Sequence, residues 1–359
     1  MLYYLSQHLT RFWGPFRLLQ SHALLLAGGA FTAAILTWVL LPRLWGRLPR
    51  DRGKAVCSDI GGMKSAGKPT GAGFWVSLVT LPSVLLFVPL SVWDALVVAA
   101  LYAAMLFGYL DDRAEHPWGE LKKGLLDAVC ALAIAFFLAK GHSTLVWLPF
   151  WKGEWVVPMW LYVPVAAFVL WFTMNATNCS DGVDGLAGTL TVIALVILAV
   201  MLYVVVGYSP VARYFLIPAR PEAARWAILV MTVAGGFCGY LWYNAEPSKV
   251  LMGDAGSRFL GILVGAASLV TGNPAIVLAF APVVIVNGGG GLAKLVLLRF
   301  AKKAGFDIGE GNVIRRIRFP LHDHCKKNLG WTNAQVLMRF TLLQIVVMPI
   351  LFLLLVKIR

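Results

Sequence analysis

The polar segment Asn175–Gly185 separates two long apolar runs of the chain. It holds two carboxylates, Asp181 and Asp184, and two carboxamides, Asn175 and Asn178. Such groups are costly where they face lipid, so polar residues at the end of a membrane span indicate a binding function. Carboxylate, carboxamide and main-chain oxygens suit a hard cation and its phosphate ligands. We therefore predict that this segment binds an anionic ligand together with a metal ion.

The apolar runs identify the chain as an integral membrane protein. Hydrophobic residues make up 59% of its 359 residues and charged residues 13%, far from the composition of a soluble domain. About 20 apolar residues suffice to cross a bilayer as a helix. The sequence thus predicts an all-α polytopic membrane protein, a single domain over residues 1–359. We expect about ten transmembrane helices, at 22–41, 71–91, 93–110, 124–139, 158–174, 186–207, 226–243, 258–271, 275–298 and 335–357. Because 258–271 is short, nine spans are the alternative.

The net charge of +14 follows the predicted topology and indicates no nucleic-acid partner. Lys and Arg are concentrated in the loops after the odd-numbered spans, mostly in Arg43–Lys68 and Arg299–Lys327. The positive-inside rule therefore predicts that these loops are cytoplasmic and that both termini are extracytoplasmic. A basic inner surface would also attract anionic headgroups and anionic soluble substrates.

Four further polar segments fall on the same predicted cytoplasmic face. They contain Lys64, Lys68 and Thr70; Asp111 and Asp112; Asn244, Leu251 and Asp254; and His322, Asp323 and His324. Three of the four have a structural alternative. The paired acids could end a solvated helix, the Gly253–Ser257 turn could be an N-cap, and the histidines could form a surface turn or half of a zinc site. Their placement on one face favours a shared function, an active site where a water-soluble substrate meets a lipid one.

As a set, these segments resemble the motifs of the polyprenyl-phosphate N-acetylhexosamine-1-phosphate transferases. The resemblance is strongest to their phospho-N-acetylmuramoyl-pentapeptide transferase branch, translocase I of peptidoglycan synthesis, and covers essentially the whole chain. That branch is favoured by the Lys68-Pro-Thr-Gly segment, the Phe16-Arg-Leu-Leu opening and the Pro320-Leu-His-x-His ending. The GlcNAc-1-phosphate branch is the alternative, because Leu110-Asp-Asp-Arg and Gly253-Asp-Ala-Gly also resemble it.

The resemblance implies transfer of phospho-MurNAc-pentapeptide from UDP-MurNAc-pentapeptide to undecaprenyl phosphate, giving lipid I and UMP. It implies a multi-pass protein of the bacterial plasma membrane, a homodimer, and Mg²⁺ held by Asp254 and Asp181. It also implies catalytic roles for Asp111, Asp112, Asp254 and His324, and substrate contacts for Lys64, Lys68, Thr70, Lys123, Asn178, Asp181, Asp184, Asn244, Leu251 and His322.

Three positions depart from the family pattern. The family has a lysine that contacts a phosphate at the position of Glu115. In this chain that contact would fall to Lys122 or Lys123. The family has three consecutive histidines where this chain has His322-Asp323-His324, so Asp323 replaces the middle one. At the position of Leu251 the family often has an aromatic residue that stacks on uracil.

A transporter for an anionic lipid is a competing class. It would place charged groups deep within paired repeats. The sequence shows no repeat, and Lys294 is the only charge that we expect to be buried in a span.

Overall fold

The computed structural model describes residues 1–51, 65–116, 118–149, 151, 153–305 and 316–357. These residues are mostly helical, with one short antiparallel hairpin of β1 (Leu145–Val146) and β2 (Trp155–Val156). The helices in chain order are α1 Leu2–Leu9, α2 His22–Leu44, α3 Ala72–Phe87, α4 Val92–Arg113, α5 Glu120–Gly141, α6 Met159–Ser180, α7 Leu186–Val200, α8 Ser209–Tyr214, α9 Ala223–Asn244, α10 Gly253–Val270, α11 Ile276–Phe280, α12 Pro282–Val284, α13 Gly290–Lys303, α14 Leu321–Leu329 and α15 Asn333–Lys357.

Within the described residues, eight helical segments are long and apolar enough to cross a membrane. They overlap eight of the predicted spans and leave out 71–91 and 258–271. At those two positions lie α3, which is apolar but has 16 residues, and α10, whose first turns carry Asp254 and Arg258. The all-α polytopic fold is confirmed, whereas the count of ten spans and their orientation stay predictions.

Helix α10 lies at the centre of the bundle. Every residue from Ala255 to Val270 is buried, and α10 packs against α3, α4, α6 and α7. Glycines allow this close approach: a Cβ on Gly261 would lie 2.7 Å from the Cα of Met174. Small residues take this role in membrane helices because they let backbones come together.

The ninth predicted span is interrupted. Helix α12 runs through a π-helical segment, Ile285–Gly289, into α13. Gly288 presses against α6, since a Cβ there would lie 1.9 Å from the carbonyl oxygen of Ala176. The glycine run therefore serves both close packing and a change of helical register.

A network of hydrogen bonds connects α4, α5 and α9 at the end of the bundle opposite Asp111 and Asp112. The carboxylate of Asp94, at the start of α4, accepts a hydrogen bond from Trp226 Nε1 at 2.8 Å and lies 2.9 Å from His142 Nε2. Asp94 also completes a capping box with Ser91. The expectation that Lys294 is the only buried charge is therefore wrong: Lys294 is half-buried. The charged residues that are buried in the described part of the chain are Asp94, Asp111, Asp127, Arg220 and Arg258.

Candidate active site

Helix α10 begins against a carboxylate supplied by α4. The two oxygens of Asp112 accept hydrogen bonds from the backbone N–H groups of Asp254, at 3.1 Å, and Ala255, at 3.2 Å. The first N–H groups of a helix have no partner inside the helix, and its dipole favours a negative charge there. Asp112 thus fixes the backbone that carries Asp254.

Glycines bring three helix ends into direct contact around this cap. Gly253 has φ +72, and a Cβ on it would lie 2.4 Å from Oδ2 of Asp112. A Cβ on Gly108 of α4 would lie 2.6 Å from the carbonyl oxygen of Asp254, and one on Gly73 of α3 would lie 2.1 Å from the Cα of Gly256. The backbones of α3, α4 and α10 therefore touch beside the acids.

Charges of alternating sign run from α4 through Lys123 to α10. Nζ of Lys123 lies 2.5 Å from Oδ2 of Asp111 and 3.8 Å from Oδ2 of Asp254. The other oxygen of Asp111 accepts from the backbone N–H of Trp118 at 2.8 Å. The structure thus brings together Asp111, Asp112, Lys123 and Asp254, four of the residues predicted from sequence.

Two charged residues of this cluster were missed by the sequence analysis. Nη2 of Arg258 lies 3.2 Å from Oδ2 of Asp254, and its Nη1 donates to Asp127 on α5. Both Arg258 and Asp127 are buried. The available signal was their position inside the predicted spans 258–271 and 124–139, since ionisable residues within a span tend to mark function.

A second cluster joins the α6–α7 turn to the loop before α10. Oδ2 of Asp184 accepts from the backbone N–H of Ser248 at 3.1 Å and lies 3.5 Å from Nζ of Lys68. Lys68 also donates to the hydroxyl of Ser248 at 2.9 Å. Asn244 accepts from the N–H of Gly185 at 2.8 Å and donates to the carbonyl of Val250 at 2.9 Å. Asn244 therefore clamps these two segments together.

The remaining predicted residues of these segments make contacts outside the two clusters or with α10. Asn178 accepts from the hydroxyl of Ser257 on α10 at 3.2 Å, and Asp181 caps the end of α6. The backbone of Leu251 accepts from Ala72, while Thr70 donates its N–H to Pro49. Lys64 lies outside the described residues.

His322 is a buried side chain at the start of α14. Its backbone N–H donates to Oδ1 of Asn287 at 2.9 Å, and its Nδ1 lies 3.2 Å from the same oxygen. The ring lies against Gly182, where a Cβ would come within 2.3 Å of Nε2. Burial lowers the pKa of His322 to about 4, so its imidazole is neutral at pH 7. His324 accepts from the backbone N–H of Arg318 at 3.3 Å.

The described residues contain no group of three or more His, Cys, Asp or Glu side chains arranged to hold a metal ion. Mg²⁺ needs no such cage, because it is commonly bound by one or two carboxylates together with substrate phosphates and water. Asp254 fits this use because its side chain is 25% exposed and can be reached by a ligand. Lys123 and Arg258 both contact its Oδ2.

Comparison with known proteins identifies the family. The sequence model of the family described as "Glycosyl transferase family 4" matches residues 95–272. A phospho-N-acetylmuramoyl-pentapeptide-transferase of Treponema pallidum (strain Nichols) is 43% identical over 343 residues, which cover 94% of this chain and 91% of the relative. This chain belongs to the phospho-N-acetylmuramoyl-pentapeptide transferase family. Relatives of the same name from Gemmatimonas aurantiaca and Bartonella quintana are 31% and 29% identical, over 96% and 88% of this chain.

Membership confirms the branch of the superfamily that the motifs favoured over the GlcNAc-1-phosphate branch. The protein is a multi-pass transferase of the bacterial inner membrane. Its Lys123 occupies the place beside Asp111 that the substitution at Glu115 left open.

Proposed function

We propose that this protein transfers phospho-MurNAc-pentapeptide from UDP-MurNAc-pentapeptide to undecaprenyl phosphate, producing lipid I and UMP for peptidoglycan synthesis. One observation carries the proposal: Asp111, Asp112, Lys123 and Asp254 converge at the ends of apolar helices. At such a boundary a lipid phosphate within the bilayer can meet a nucleotide from the cytosol. The names of relatives that align with this chain over most of their length support the same activity.

Mg²⁺ is the proposed cofactor, with Asp254 as its first ligand and Asp181 as its second. The cluster of Asp111, Asp112, Asp127 and Asp254 contains two cations, Lys123 and Arg258. Four carboxylates and two cations give this cluster a formal charge of −2, which one divalent cation would balance. Bound Mg²⁺ neutralises charge on a diphosphate and thereby favours attack by a second phosphate.

The acids of the cluster have different tasks in this proposal. Asp111, paired with Lys123, positions the phosphate of the lipid acceptor; a lipid phosphate is largely ionised at neutral pH, so orientation matters more than removal of a proton. Asp112 acts through the backbone of Asp254 and holds the start of α10. Lys123 connects the two sides of the reaction because it lies between Asp111 and Asp254.

The nucleotide lies, in this proposal, over the second cluster. Lys68 or Lys64 pairs with its phosphates, and Asp184 is kept in place by Lys68 and the N–H of Ser248. The other groups proposed to contact the nucleotide are Thr70, Asn178, Asn244, Leu251, His322 and His324. Both polar ends of the Asn244 side chain are bound to backbone, so this residue would act by shaping the pocket.

Purified protein, given UDP-MurNAc-pentapeptide, undecaprenyl phosphate and Mg²⁺, should release UMP and form a lipid product with the mass of lipid I. UDP-GlcNAc should compete poorly as a donor in the same assay. The absence of UMP release would refute the transferase assignment, and a lipid product carrying GlcNAc would refute the donor.

We also propose that the protein is a homodimer, on the family resemblance alone. Mass measurement of the detergent-solubilised protein should give twice the chain mass of 39.2 kDa after subtraction of the detergent. A single-chain mass would refute this proposal.

A further inference from the structure

Arg258 joins the candidate metal ligand to an acid that the proposed reaction does not use. It lies one helical turn after Asp254 on α10 and is 4% exposed. Its Nη2 contacts Asp254 at 3.2 Å, and its Nη1 donates to Asp127, which is also 4% exposed. Since Asp127 belongs to α5, the guanidinium connects two helices at the level of the active site.

The pair of Asp127 and Arg258 is poorly suited to a purely stabilising role. Removing two charges from water is costly, and apolar residues of similar volume can often replace a buried ion pair without loss of stability. In addition, Nε of Arg258 is buried and has no hydrogen-bond partner among the described residues. An unsatisfied buried donor costs about 1–3 kcal/mol. Charges retained within a membrane span at such a cost are usually functional.

We propose that Arg258, anchored by Asp127, is a positioning residue that sets the orientation of the Asp254 carboxylate. Arginine suits this role because its planar fork can bind two carboxylates at once, whereas lysine offers a single point of charge. By binding Oδ2, Arg258 fixes the plane of the Asp254 carboxylate and with it the oxygen that would bind the metal. The inference rests on the proposed function and specifies how one of its residues is held.

A double variant, Asp127→Leu with Arg258→Met, tests this role because it removes both charges together. It should fold, since neither charge is left buried without its partner. Loss of a residue that orients a metal ligand typically costs 10–100-fold in activity or metal affinity. We therefore expect kcat to fall by about 10–100-fold, and the Mg²⁺ concentration for half-maximal rate to rise by a similar factor. Arg258→Lys should lie between the double variant and the wild type.

His142→Gln is the matched control. His142 also contacts a buried aspartate, Asp94, but it does so at the opposite end of α5. Glutamine can keep that hydrogen bond, so this variant should show the wild-type kcat and Mg²⁺ dependence. A purely structural effect of the double variant would lower its unfolding temperature. The protein that remains folded would then reach half of its maximal rate at the wild-type Mg²⁺ concentration.

Wild-type kcat and Mg²⁺ dependence in the folded double variant would overturn the role of Arg258. If the double variant fails to fold, Asp127→Asn serves instead, because it keeps the side-chain shape and removes the anchoring charge. Wild-type Mg²⁺ dependence in Asp127→Asn would likewise overturn the inference. A wild-type protein that releases no UMP would refute the proposed function itself, which separates the two failures.

Discussion

Gly108→Ala should impair catalysis although it adds a single methyl group outside the acid cluster. A Cβ at this position would lie 2.6 Å from the carbonyl oxygen of Asp254, 2.7 Å from its carbonyl carbon and 2.8 Å from the nitrogen of Ala255. All three atoms are backbone, so no side-chain rotation can relieve the contact. The backbones of α4 and α10 must move apart instead.

The size of that movement sets the expected effect. Ordinary van der Waals contact begins at 3.4 Å, so a 2.6 Å approach requires a separation of about 0.8 Å. A misplacement of about 1 Å can lower a rate by about 10²-fold; we therefore expect kcat to fall by about 10–100-fold. Overpacking typically costs about 1–3 kcal/mol, and alanine in a helix recovers about 1 kcal/mol relative to glycine. The fold should therefore persist.

Gly124→Ala is the control for this experiment. Gly124 is also helical and lies next to Lys123 in sequence, but a Cβ there would meet nothing within 4 Å. It should gain about 1 kcal/mol of helix stability and keep wild-type turnover. Both variants are measured by UMP release and by thermal unfolding in detergent. Equal turnover in the two variants would show that contact between α4 and α10 does not set the position of Asp254.

Asp254→Asn should lower turnover by about 10²-fold or more with the fold retained, as for loss of a preorganised electrostatic group; near wild-type turnover at limiting Mg²⁺ would contradict its assignment. His324→Ala should remove most activity in the UMP assay while Asp323→His is tolerated, and full activity in the first variant would refute the carried-over role. Lys294→Ala should raise KM for the lipid phosphate and not for the UDP-sugar, and equal effects on both would exclude an acceptor-specific contact. The pKa of His322 is about 4 in the folded state and 6.5 in the unfolded chain, so the unfolded state binds more protons between these pH values. The contribution of His322 to the free energy of unfolding should therefore be complete above about pH 6.5 and fall by up to about 3 kcal/mol toward pH 4. His322→Gln should abolish this pH dependence when unfolding is measured as a function of pH.

The convergence of Asp111, Asp112 and Asp254 could be anticipated from sequence because topology alone restricts it. Each acid follows or precedes an apolar run, and the charge pattern assigns these run ends to one face of the membrane. Helix α10 is predicted as a short span, and the structure gives the reason: its first two turns carry Asp254 and Arg258, and Arg258 is buried among other helices.

The pairings within the site could not be predicted from sequence. Asp127 and Arg258 are separated by 131 positions, and nothing in either segment indicates the other as its partner. In the same way, the capping of α10 by Asp112 depends on how closely two helices approach, which is decided by Gly108 and Gly253. Sequence patterns give the periodicity of one element at a time, whereas these contacts depend on packing between elements.

If α3 crosses the membrane as predicted, the glycine contacts among α3, α4 and α10 would make the site sensitive to the thickness of the surrounding bilayer. Helix α3 has 16 residues, about 24 Å of helix, which is shorter than a hydrocarbon core of about 30 Å. Such mismatch is accommodated by tilting or by local thinning of the bilayer. For the 22-residue α4, a tilt of about 3° around its midpoint would move its end by about 0.9 Å. Because the acids are attached to backbones in direct contact, a lipid-induced tilt of that size would displace them as much as a methyl group at Gly108.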